Sequence, residues 1–156
     1  MVVFLVVVTG VVGYALAVRH PRPDLSASIA LLGDGDLDGD ERKVVLENML
    51  ERRSEAATDR ERWAVLLAAV ALGERGAFDA ARATLEPLSA HVLAAADLRW
   101  LALGDTVLHN VLAAMQADAR GDAGAARVSW QQVQNQVLLT GDRYALAGDL
   151  AAAALK

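Results

Sequence analysis

The chain has no cysteine among its 156 residues. Disulfides, thiolate zinc sites, cysteine nucleophiles and lipid attachment through cysteine are therefore excluded. Aromatic residues make up only 4% and proline occurs 3 times. Beyond the N-terminal run, β-branched stretches are short and no segment alternates as a half-buried strand does, whereas Ala, Leu and Val are abundant. That is the composition of closely packed helices. A basic stripe is also missing: Lys and Arg number 15 against 20 Asp and Glu, a net charge of −5. Without such a stripe to displace counterions from phosphates, a nucleic-acid partner is not expected. Arg52, Arg53, Arg60 and Arg62 are interleaved with Glu51, Glu55, Asp59 and Glu61, which reads as a solvated mixed-charge face.

Catalytic patterning is equally sparse. There is no Gly-rich phosphate loop and no HExxH, and Ser26, Ser28, Ser54, Ser89 and Ser129 have no His in a recognisable motif. His20, His91 and His109 are scattered; Asp105 and His109 are spaced to share a helix face, but two ligands do not make a metal site. The chain is expected not to be an enzyme and to carry no cofactor.

Val2 to Val18 run without a charge, and the chain turns polar at Arg19-His20-Pro21-Arg22. At 1.5 Å per residue this run covers roughly 26 Å, the short end of a bilayer core. No basic residue precedes it and two follow, which places the following chain on the cytoplasmic side. The expectation is a single-pass anchor in the inner membrane of a bacterium over residues 1–19, with the remaining domain in the cytoplasm. Within it Thr9, Gly13 and Ala17 are spaced four apart on one face, where small residues let a second membrane helix approach. The alternative is a signal peptide cleaved after Ala17 at the small-x-small triplet Ala15-Leu16-Ala17, leaving a periplasmic protein.

Residues 20–39 read as a juxtamembrane linker, with a short helix over Leu25–Leu32 and an acidic loop, Asp34-Gly-Asp36-Leu-Asp38-Gly-Asp40. This loop looks like the start of an EF-hand, whose first, third and fifth positions carry oxygen ligands, whose sixth is Gly and whose twelfth is a bidentate Glu. Counted from Asp34 the twelfth residue is Val45; counted from Asp36 it is Glu47, but the Gly is lost to Glu41. Asp34, Asp36, Asp38 and Asp40 are thus an incomplete calcium set. The competing reading is an acidic turn in which Asp38 or Asp40 caps the next helix.

From residue 40 the chain reads as a succession of helices. One runs from about Asp40 to Ala56 with Val44, Val45, Leu46, Met49 and Leu50 on its apolar side. Thr58-Asp59-Arg60-Glu61 is a capping box opening a helix through Trp63, Leu66, Leu67 and Val70 to about Gly73. Gly76 is expected to break it before an antiparallel partner from Phe78 to about Leu88. A longer helix spans about Asp97 to Met115, with a kink near Gly104-Asp105. Gly121-Asp122 turns into a helix whose apolar residues are Val128, Trp130, Val133, Val137 and Leu138, and Gly141-Asp142 turns into an Ala-rich last helix.

Leu67, Ala69, Leu72, Gly76, Phe78, Ala81 and Leu85 resemble the tetratricopeptide (TPR) consensus, and Ala114, Gly121, Ala126 and Trp130 repeat it more loosely. Val65 stands where that family has an aromatic, with Trp63 displaced by two. Gly76 and Gly121 lie farther apart than its repeat of about 34 residues. The resemblance implies an all-α fold in which the anchor precedes a TPR-like stack of antiparallel hairpins over 40–156. It also implies protein binding on a concave face lined by Trp63, Leu66, Val70, Glu74, Asn110 and Asp118, with Trp63 and Leu66 as core under the 40–56 helix in the competing reading. It places Ala81 where two helices touch, has Gly76 close the first helix, and makes both positions intolerant of bulk. The expected function is a membrane-anchored scaffold, an accessory subunit or assembly factor of a membrane protein complex. Its partners would be other membrane-complex proteins and membrane lipid, met through both the anchor and the helical domain. The alternative is an exported periplasmic repeat protein, calcium-stabilised through the Asp loop.

Overall fold

A computed structural model of the chain describes residues 23–33, 37–102 and 105–156. The expected anchor over 1–19, its Thr9/Gly13/Ala17 face, the cleavage point after Ala17, and Asp34 and Asp36 lie outside the described residues. Among the described residues there are only helices: α1 (Leu25–Gly33), α2 (Gly39–Glu51), α3 (Asp59–Leu72), α4 (Arg75–Ala83), α5 (Ala95–Leu101), α6 (Thr106–Ala119), α7 (Ala123–Thr140) and α8 (Ala145–Ala154), with short 3-10 turns between some of them. None of these helices is long and apolar enough to cross a membrane. The membrane-spanning helix in the expected fold class is corrected on this finding; the described residues form an all-α fold of short packed helices. The longest, α7, has 18 residues and is interrupted by arginine, glutamines and an asparagine.

The helices start and stop where side chains answer the unpaired backbone groups at their ends. Asp38 caps α2, accepting from Asp40 and Glu41 amides, while Glu41 reaches back to the Asp38 amide. Thr58 and Glu61 form the expected capping box on α3. Gly73, not Gly76, ends α3: it adopts φ +72°, and the Glu74 amide returns to the Ala69 carbonyl at 2.9 Å. Gly76 instead lies inside α4, with open space where a Cβ would stand, so the expected helix break and intolerance of bulk at this position are corrected. The kink expected near Gly104-Asp105 is a break between α5 and α6, because Asp105 caps Val107 and Leu108 with one carboxylate oxygen. Gly121, at φ +73°, and Asp122, which accepts from the Ala125 amide, turn α6 into α7.

α3 is the centre of the fold. Every residue from Trp63 to Val70 is buried, so the helix has no water-facing side through its middle two turns. Such all-round burial marks a core helix, not a surface one. It packs against α2, α4, α6 and α8. α3/α4 and α6/α7 form antiparallel hairpins, and α8 lies against α7 so closely that a Cβ on Gly148 would stand 3.1 Å from Val137 Cγ1. The segment expected as a linker contributes α1 to the same core through Leu25, Ile29 and Leu32. Asn48 ties α1 to α2 by donating to Ser28 Oγ at 2.9 Å and to the Pro23 carbonyl at 3.0 Å.

Candidate interaction surface

Of the side chains expected on a concave binding face, Trp63, Leu66 and Val70 are fully buried, and Asn110 is buried at the α6/α7 contact. Trp63 is a fastener. Its indole donates to the His91 carbonyl at 2.7 Å, while His91 Nδ1 meets Asp59 at 2.6 Å and the Leu93 amide donates to Gln116 Oε1 at 2.8 Å. Together these hold the irregular stretch after α4 against the core. Asn110 donates to Gln136 Oε1 at 3.0 Å across the α6/α7 hairpin, and Asp118 accepts from the Trp130 indole at 3.0 Å. Glu74 and Asp118 are exposed, but at separate helix ends. These six residues do not converge on one surface, because the helix that carries the first three is enclosed on all sides.

The acidic loop is described only from Leu37 onward. Asp38 spends its Oδ1 on the α2 amides, and Asp40 sits exposed in the first turn. No group of three or more His, Asp or Glu side chains placed to hold a metal occurs among the described residues. His109 does not meet the Asp105 side chain. The Asp105 oxygen left over from capping α6 accepts instead from the Tyr144 hydroxyl. Burial, and then the Asp105 carboxylate beside it, push the Tyr144 phenol up to about 12. Arg143 covers the Tyr144 ring at 5.2 Å, and Arg42, Lys43 and Leu46 complete the walls of this cleft of about 300 Å³. Both Asp105 oxygens are thus engaged, one by the α6 amides and one by the phenol.

What remains is a surface on α7. Ala126, Trp130 and Val133 are its buried side, with Val137 partly buried on the same stripe. Val128 and Leu138, also among the apolar residues of this helix, point away from that side: they are 59% and 80% exposed, and the neighbouring Leu139 is 86% exposed. The reason is angular. At 100° per residue, positions 126, 130, 133 and 137 cluster within one narrow sector, while 128, 135 and 139 fall opposite. Gln131, Gln132 and Asn135 are exposed on the same outer side. From Val128 to Gly141 there is no charged residue, in a chain that is otherwise rich in them. A solvated helix face ordinarily carries charges. The apolar residues of α7 thus form two stripes, of which α6 and α8 cover one.

No protein-family profile matches the chain, and no curated protein or solved structure matches it.

Proposed function

We propose that this protein is an interaction scaffold, an accessory or assembly component of a larger protein complex, and that the outer face of α7 is the surface that receives an α-helix of its protein partner. The observation that carries this reading is the pair Leu138 and Leu139, 80% and 86% exposed in a helix that carries no charge after Arg127. Large apolar side chains scattered singly on a surface need no explanation, but an adjacent pair of them on an uncharged stretch of helix fits a groove-filling or helix-packing contact. Two hairpins, α3/α4 and α6/α7, each with a left-handed glycine at the turn between its helices, support a TPR-like build. The enclosure of α3 moves the contact away from the concave face that such a build ordinarily uses.

The absence of cysteine makes the test direct. Leu139→Cys in the full chain, expressed in its native cell, should react with a permeant maleimide several-fold more slowly than Glu47→Cys, whose position is exposed. In dilute purified protein the two positions should react alike. Equal rates in the cell would mean that nothing covers α7.

A further inference from the structure

The outer face of α7 has an order that a merely sticky surface lacks. Val128, Gln131, Asn135 and Leu138 follow one another at spacings of three, four and three, the seam of a coiled-coil helix. Read in either direction the seam is the same: apolar, amide, amide, apolar. Its midpoint is at the level of residue 133, whose own side chain points inward to the core. We propose that the partner of this face is the α7 helix of a second copy, packed antiparallel about a two-fold axis at the level of residue 133; this rests on the reading of α7 as the contact surface.

Under that axis Val128 meets the second copy's Leu138, and Gln131 meets its Asn135. A two-fold contact needs a self-complementary patch, since residue i touches j and j touches i. Charged seams meet that condition only with paired opposite signs; an uncharged palindrome meets it without them. The side-chain amides are suited to the central position because each has both donors and an acceptor, so Gln131 and Asn135 pair in either orientation. In the free chain Gln131 donates to Gln134 and Asn135 within its own helix, at 3.1 and 3.3 Å, so its hydrogen bonds can be exchanged for ones across the axis. A parallel pair would set Val128 on Val128 and Asn135 on Asn135, leaving the mirror order of the seam without a role. One helix of 18 residues is about 27 Å long. A single such pair buries less than the roughly 1,200 Å² of a stable interface, so the dimer is a weak, concentration-dependent one.

The test uses the full chain and its lack of cysteine. Gln131→Cys and Asn135→Cys chains are purified separately, checked for unchanged helicity and melting, and oxidised alone or mixed. Facing positions in an antiparallel pair bring the two Cβ atoms within reach of a disulfide, whereas like positions are offset by four residues, about 6 Å along the helix. The mixture should form the 131–135 disulfide at least fivefold faster than either chain alone forms its own, and Leu138→Asp in both chains should slow it at least fivefold. Fastest cross-linking between like positions, or a mixed rate no greater than that of an Asp79→Cys control, would overturn the antiparallel pairing. If the mixture fails while Leu139→Cys is still protected in cells, the self-pairing falls and the α7 surface stands with a different chain on it. If Leu139→Cys reacts freely in cells, the surface itself is not a contact.

Discussion

The side chains with the clearest individual consequences sit at helix ends. Glu61 accepts from the Thr58 and Ala57 amides and the Thr58 hydroxyl, and the Thr58 backbone bond above all holds its carboxyl below the ordinary value of 4.5. A carboxyl lowered in the folded state contributes stability above 4.5, and that contribution is lost as pH falls through the lowered value. Urea midpoints from pH 7 to pH 3 should therefore fall less steeply for Glu61→Gln than for the unaltered chain, while Thr58→Ala should cost about 1 kcal/mol at neutral pH. Tyr144 has the opposite sign. Raised to about 12, it keeps its proton in the folded state at a pH where the unfolded chain loses it. The stability it contributes is complete below about pH 10 and declines as pH rises from there to about 12. Tyr144→Phe should remove that alkaline loss and cost roughly 1.5–3 kcal/mol below it, the range for a hydrogen bond to a charged group.

Among the elements, α3 and α4 show where sequence reasoning reaches and where it stops. The capping box over Thr58–Glu61 was legible because it depends on residues three apart in the chain. So was the small residue at Ala81, which is buried in the hairpin; Ala81→Leu should lower the melting temperature by an amount corresponding to about 1–3 kcal/mol of overpacking. Gly76 is the contrast. Its place one residue inside α4 and the open space around it mean that Gly76→Ala should stabilise the chain by about 0.5–1 kcal/mol, as removing a helix glycine does. A thermal melt that drops on this substitution would place Gly76 in a helix contact after all. The misreadings share one cause. A run such as Trp63 to Val70 is apolar on several faces, and periodicity within the run does not say which of those faces other elements will cover. That is decided by α2, α4, α6 and α8 arriving from elsewhere in the chain. The same holds for the candidate surface on α7: helical spacing separates its two apolar stripes, but which of them stays open is decided once α6 and α8 have covered the other.

At the scale of the whole molecule, charge and surface act against each other. Each copy carries a net charge of −5, so two copies repel at long range, and the α7 seam contains no ion pair for salt to weaken. Screening shortens the reach of that repulsion from about 10 Å at 0.1 M to about 3 Å at 1 M. Self-association of the purified chain, followed by sedimentation, should therefore strengthen as salt is raised; weakening with salt would mean that opposite charges hold the copies together. The most direct measurement of the pairing is the separation between single spin labels placed at Ala125, Gln132 and Leu139 in turn. These positions are one heptad apart, share the outer side of α7, and lie on both sides of the level of residue 133. In an antiparallel pair the axial offset between like labels grows by about 3 Å for each residue moved from the axis, since the 1.5 Å rise counts on both helices. The expected result is a short separation at Gln132 and longer ones at both Ala125 and Leu139, whose axial offsets are about 24 and 18 Å against about 3 Å at Gln132. A separation that stays constant along the helix, or no dipolar coupling at any of the three, would contradict it.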